Sequence, residues 1–170
     1  MEILDISDTL AWNTNGSRWP LRKMSKIKQI VIHQSLGTKS VYDTNSYCIT
    51  NSHDMSVGRS MPKIPYHFFI HPDGHIFQAN KFTDLTTHVK NMNTISLGVC
   101  LGGFYNYADI KARDGDPPHE QMEALDWLLN YLLDLLKLDK RSVFTHDELQ
   151  GKPSCPGNVA AEYVKNLKKT

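Results

Sequence analysis

The chain has 170 residues, 40% hydrophobic and 22% charged, with a formal charge of +1. That is enough for one domain with a real core, and too balanced for the basic footprint of a nucleic-acid binder. No apolar run reaches eight residues, which excludes a membrane span, and the start MEILDISDTLAW lacks the basic-then-apolar pattern of a secretory signal. The expectation is a single domain over residues 1–170, with no separate binding module, made in the cytoplasm.

Taken in chain order, KQIVIHQS (28–35) is rich in β-branched residues and reads as a buried strand. A weaker helix follows from Val41 to His53. YHFFIHPDGHIFQAN (66–80) is two apolar runs around Pro72, Asp73 and Gly74, a hairpin signal. SLGVCLGG (96–103) is a further strand, stopped by its glycine pair. The long helix comes next, with Asp116 as cap and Pro117 in its first turn. Met122, Leu125, Leu129, Leu132, Leu133 and Leu136 line one face, and Trp127, Leu128, Tyr131 and Leu135 a second, so burial on two sides is expected. RSVFTH (141–146) is another strand, and Asn158 to Leu167 a last helix. The fold class is therefore α/β: a mixed central β-sheet of about five strands flanked by helices.

Three cysteines are too few for a disulfide framework. Cys100 lies in an apolar run and reads as core, and Cys48 in a helix reads as packing. Cys155, in the turn-rich stretch THDELQGKPSCPG (145–157), has no such explanation.

Of eight histidines, two end apolar strands: His33 closes IVIH and His146 closes VFTH. Neighbouring strands ending in imidazoles at one sheet edge can present both to one ion. The loop through Gly151 and Pro153 then returns Cys155 nine residues after His146. Two imidazoles and a thiolate leave one tetrahedral position open, as catalytic zinc sites do. A His₂Cys set also suits copper, although copper electron-transfer sites gather their Cys, His and Met within one short loop, which is not seen here. Among the others, His67 is expected on the face opposite Tyr66. His71 and His75 flank the hairpin turn in solvent, His53 lies near a helix end, and His119 faces water. Asp147 and Glu148 read as solvated turn carboxylates or as partners orienting an imidazole.

IVIHQS, YHFFIHPDG, HVKNMNTISLGVCLGGF and FTHDELQGKPSCPG, in that order, resemble the successive blocks of the type 2 N-acetylmuramoyl-L-alanine amidases, which include phage amidase endolysins and the peptidoglycan recognition proteins. The resemblance runs from about Ile30 to Gly157 and implies that family's fold. It places the zinc ligands at His33, His146 and Cys155. It puts a catalytic tyrosine beside the metal at Tyr66, a catalytic lysine at Lys152, and residues lining the substrate groove at His88 and Asn93. Gln34, where many relatives carry a second histidine, joins the groove set. Lys152 stands three residues before Cys155, where the family's lysine often stands two before.

The resemblance thus implies a Zn²⁺-dependent hydrolase, a monomer, acting on peptidoglycan or muropeptides. Its target is the amide between N-acetylmuramic acid and L-alanine, reached in the cell wall after phage-assisted release. The competing expectation is a non-catalytic muropeptide-binding module on the same fold. Relatives of that kind typically lack the cysteine ligand, so Cys155 speaks against this reading.

Overall fold

A computed structural model describes residues 1–50, 53–54 and 59–169, with side chains outside 53–60. The sheet has six strands in the order β1-β6-β5-β7-β2-β8. These are β1 (Ile3–Asp5), β2 (Gln29–Gln34), β5 (Phe68–Ile70), β6 (Ile76–Gln78), β7 (Ser96–Leu101) and β8 (Val143–Thr145). From β5 to β8 all pairs are parallel, β5 and β6 form the antiparallel hairpin, and β1 runs parallel to β6. The five expected strands are present, and the mixed sheet is as expected. The additional one, β1, is a short edge strand. A separate two-stranded ribbon pairs β3 (His53–Asp54) with β4 (Arg59–Ser60). His53 therefore belongs to a strand, and α1 (Val41–Thr50) ends before it.

Alternation along β2 and β7 builds two different faces. Ile30 and Ile32 of β2, with Leu97, Val99 and Leu101 of β7, join the larger core against α2 (His119–Leu136) and α4 (Asn158–Leu167). On the opposite face the same strands present Val31, His33, Ser96, Gly98 and Cys100. There Cys100 and Phe69 pack with Val41 of α1, Leu10 and Ile64 in a smaller cluster. Half of this second face is aliphatic, and the other half is polar.

Helix α2 begins at His119 after Pro118, with no side-chain cap; Asp116 instead accepts a hydrogen bond from Asn106 at 2.9 Å. Its buried face is Leu125, Leu128, Leu129, Leu132 and Leu133. Of the second face, Leu128 is buried and Trp127 partly so, whereas Tyr131 is 43% and Leu135 42% exposed, with the Trp127 and Tyr131 rings stacked at 5.7 Å. The stretch after β8, expected as a turn-rich loop, instead opens with a helix. His146–Gln150 forms the short helix α3, closed at its start by a capping box between Thr145 and Glu148 and at its end by Gly151 in the left-handed region. No helix among the described residues is long and apolar enough to cross a membrane.

Candidate metal centre

β2 and β8 are parallel neighbours paired through Ile32 and Thr145, so both reach the same sheet edge. His33 is the next residue on β2, and His146 is the first residue of α3. Their rings meet at 4.7 Å between centroids. Helix α3 then reverses the chain. The Gly151 N–H bonds Asp147 O at 2.7 Å, the Cys155 N–H bonds Lys152 O at 2.8 Å, and the Asp147 N–H bonds Cys155 O at 3.0 Å. These bonds carry Cys155 back to the start of α3. The donor atoms of His33, His146 and Cys155 all lie within 4.8 Å of one another. Among the described residues this is the only such convergence of three or more His, Cys, Asp or Glu.

The donor set fits a tetrahedral zinc. Bonds of about 2.3 Å to sulfur and about 2.0 Å to nitrogen imply an S···N edge of roughly 3.5 Å. Cys155 Sγ lies 3.6 Å from His33 Nδ1. His33 is 1% and Cys155 5% exposed, and His146 is half-buried. Burial holds His33 well below its usual pKa, and the neighbouring His88 and His146 add to the shift. Burial also lowers His146, against its bond to Gln150. The site therefore offers neutral imidazoles, the form a metal requires. The Cys155 thiol is pushed up to about 12 by burial, with the Gln34 N–H at 3.4 Å opposing. A cation is what would turn this group into a thiolate.

Tyr66 lies 5.1 Å from His33, ring to ring, with its pKa raised well above the usual range by burial and then by the thiols of Cys100 and Cys155. It stays a hydrogen-bond donor. Lys152 is exposed, and its charge acts on both His146 and Cys155.

The other residues expected along the groove lie deeper. His88 is 6% exposed, with its Nδ1 at 3.0 Å from His33 Nε2. Asn93 Oδ1 accepts from the backbone N–H of His88 and of Val89, each at 2.9 Å. Gln34 is 1% exposed: its Oε1 accepts from Tyr105 N–H at 2.6 Å and its Nε2 donates to Ser154 O. It thereby ties the end of β2 to the loop that carries Cys155.

His67 is on the same side as Tyr66, not opposite, with its ring 5.8 Å from that of His88. The strand begins only at Phe68, so alternation does not extend to Tyr66. Beneath these rings sits Arg22, 7% exposed, donating to Asn93 O and Ser96 O at 2.6 Å each and to Phe82 O at 3.1 Å. Its pKa is lowered to about 10 by burial, with Asp84 opposing. Sequence reasoning passed over Arg22, Ser96, Gly98 and Gln150. Gln150 carried a readable signal, because Thr145-x-x-Glu148 is a capping box that starts a helix and puts Gln150 one turn from His146.

The model of the N-acetylmuramoyl-L-alanine amidase family matches residues 23–158. Peptidoglycan-recognition protein SC1a of Drosophila melanogaster is 23% identical over 152 residues, covering 86% of this chain and 76% of its own. Among solved structures, the N-acetylmuramoyl-L-alanine amidase LysC from Clostridium intestinale URNW superposes with a TM-score of 0.71 at 20% identity, over 100% of this chain and 99% of its own. The Ph2119 endolysin of the Thermus scotoductus MAT2119 bacteriophage does so with a TM-score of 0.71 at 19% identity, over 98% of each chain. At that identity the superpositions speak for the fold alone. With the family model spanning residues 23–158, the chain belongs to the N-acetylmuramoyl-L-alanine amidase family.

Proposed function

We propose that this chain is a zinc-dependent amidase that hydrolyses the bond between N-acetylmuramic acid and L-alanine in peptidoglycan, in the manner of an endolysin. The observation that carries the reading is the convergence of His33, His146 and Cys155 at one sheet edge with Tyr66 beside them. Those three residues would hold the metal, leaving a fourth tetrahedral position open. When bound there, zinc supplies an activated water at neutral pH and polarises a carbonyl.

The chain's own residues supply the rest. Tyr66, kept protonated, donates a hydrogen bond to the oxygen on which negative charge develops; losing such a donor costs about 100- to 1000-fold in turnover. Lys152 brings a cation to the open side of the same site. His88, Asn93 and Gln34 shape the groove from beneath, fixing the backbone and imidazoles on which substrate would rest.

Three solved structures matched by the fold are described as complexes with tracheal cytotoxin, a monomeric diaminopimelic acid-type peptidoglycan. This supports a muropeptide ligand for the fold and keeps open a second reading, binding without cleavage. The intact Cys155 favours catalysis.

The test is clearance of purified cell walls with and without a chelator, with mass spectrometry of the products. Released stem peptides, lost on chelation, restored by zinc and abolished in Cys155→Ser, are the expected result. Wall lysis that survives both exhaustive chelation and Cys155→Ser refutes the proposal. Tight muropeptide binding with no released peptide makes the chain a binding module.

A further inference from the structure

His33 and His146 each have two ring nitrogens, and only a deprotonated nitrogen can bind a metal. Which one is free follows from the neighbours' obligatory donors and acceptors. Ser96 Oγ gives its proton to Met92 O at 2.7 Å. It can therefore only accept from His88 Nε2, 3.2 Å away, and the other neighbour of that nitrogen is the Ser96 carbonyl at 3.4 Å. His88 Nε2 thus carries the hydrogen and its Nδ1 is a bare acceptor. That acceptor lies 3.0 Å from His33 Nε2, which must be the donor. His33 Nδ1 is left bare, and it is the atom that faces Cys155 Sγ.

The same logic runs at the second imidazole through an unrelated partner. Gln150 Nε2 donates to Lys90 O at 2.7 Å, so the amide orientation is fixed. Its Oε1 then points at His146 Nε2, 3.3 Å away, and accepts from it. His146 Nδ1 is the nitrogen left free.

We infer that His88 and Gln150 are positioning residues that lock His33 and His146 as Nε2–H tautomers, so that both present Nδ1 to the metal before it arrives. This rests on the reading of His33, His146 and Cys155 as ligands. It assigns His88 a role beneath the site: the ring lies against Gly98 and its backbone N–H is held by Asn93. Partners of this kind orient the imidazole and raise its basicity, and removing one typically weakens metal binding about 10- to 100-fold.

Long-range ¹H–¹⁵N NMR on the metal-free protein reads the tautomers directly, and chelator competition reads the zinc affinity. The expected result is Nε2 protonation at both His33 and His146. Gln150→Met is expected to release the His146 tautomer and weaken zinc about 10- to 100-fold, whereas Gln150→Glu, which keeps an acceptor for His146 Nε2 but loses the bond to Lys90 O, binds zinc more tightly than Gln150→Met. His88→Leu and His88→Gln form the equivalent pair at His33. If His88→Leu does not fold, the Gln150 pair and the parent's spectrum decide. An Nδ1–H tautomer at either histidine, or Gln150→Met binding zinc as tightly as the parent, overturns the inference. A parent that shows both Nε2–H tautomers but binds no zinc instead refutes the metal reading and leaves the lock standing.

Discussion

Adding one carbon at Gly98 tests whether the His88 seat is as tight as its geometry. An alanine Cβ there would stand 2.9 Å from both Cγ and Nδ1 of His88, and 3.3 Å from Cδ2. Carbon atoms pack comfortably at about 3.5–4.0 Å, so the ring would have to lift by roughly 0.6–1 Å. It has little room, being 6% exposed and wedged between the rings of His33 and His67. Lifting stretches the 3.0 Å bond to His33 beyond hydrogen-bond reach.

Two effects then compete in Gly98→Ala. Gly98 lies inside β7 with no left-handed backbone to protect, so strand propensity alone predicts a gain of about 0.5–1 kcal/mol. Overpacking predicts a loss of about 1–3 kcal/mol, and the broken bond about 1 kcal/mol more. The expected net is a destabilisation of about 1–3 kcal/mol in urea, with an unchanged m-value, and zinc affinity reduced along with it. Gly98→Ala as stable as the parent, with the same zinc affinity, would refute the packing argument.

Lys152→Met should lower turnover about 100-fold or more while leaving zinc affinity unchanged or slightly higher, because an exposed cation near the site is removed; isothermal competition and wall clearance separate the two. Asp114 is held at about 2: burial would raise it, but Arg113, the Phe104 N–H and Lys39 outweigh that. Its stabilisation is thus complete above about pH 4 and lost as pH falls towards 2. With the solvated partners discounted, Asp114→Asn should cost about 1–2 kcal/mol at pH 7 and nothing near pH 2, as read by denaturation at both. Lys63 is fully buried, its Nζ donates to Ser7 O at 2.7 Å, and burial pushes it down to about 8 against the pull of Asp84, Asp8 and Asp5. The unfolded chain therefore binds more protons between about pH 8 and 10.5, and stability should rise across that window by at most about 3 kcal/mol. Lys63→Met should lose this slope, and an identical pH profile in the two proteins would contradict it.

Much of the sheet was legible because its strands are buried on both faces and leave dense apolar runs; Ile30 to Ile32 and Leu97 to Leu101 are of this kind. His33 and His146 were legible for a related reason, since a polar residue closing such a run must find a partner at the sheet edge. What escaped depends on context rather than on pattern. The three residues of β1 gain their place only from the edge that β6 leaves open. The two apolar faces of α2 look alike in sequence, yet the sheet covers one, while Tyr131 and Leu135 of the other stay 43% and 42% exposed. Period-2 reasoning put His67 and Tyr66 on opposite faces because it began the strand two residues early. Gln150 could have been found from the capping box, while Arg22, more than forty residues from every residue its side chain bonds, could not.

The deeper reason that the polar half of the sheet can exist lies in β7. Its core-facing residues are Leu97, Val99 and Leu101, and its site-facing ones are Ser96, Gly98 and Cys100. The small set leaves a space that His88 fills, and buried imidazoles are tolerable there only if each ring nitrogen finds a partner. Arg22 lies below, with its guanidinium 3.0 Å from His67 Nε2 and donating to the carbonyls of Asn93 and Ser96, so the layer is built of neutral rings over one cation. A buried network bonded in this way has few alternative arrangements. Strand propensity alone would favour valine or isoleucine at 96, 98 or 100. Any of these would strengthen β7 in isolation and close the space under His33, and at this edge the requirement of the site overrides that of the strand.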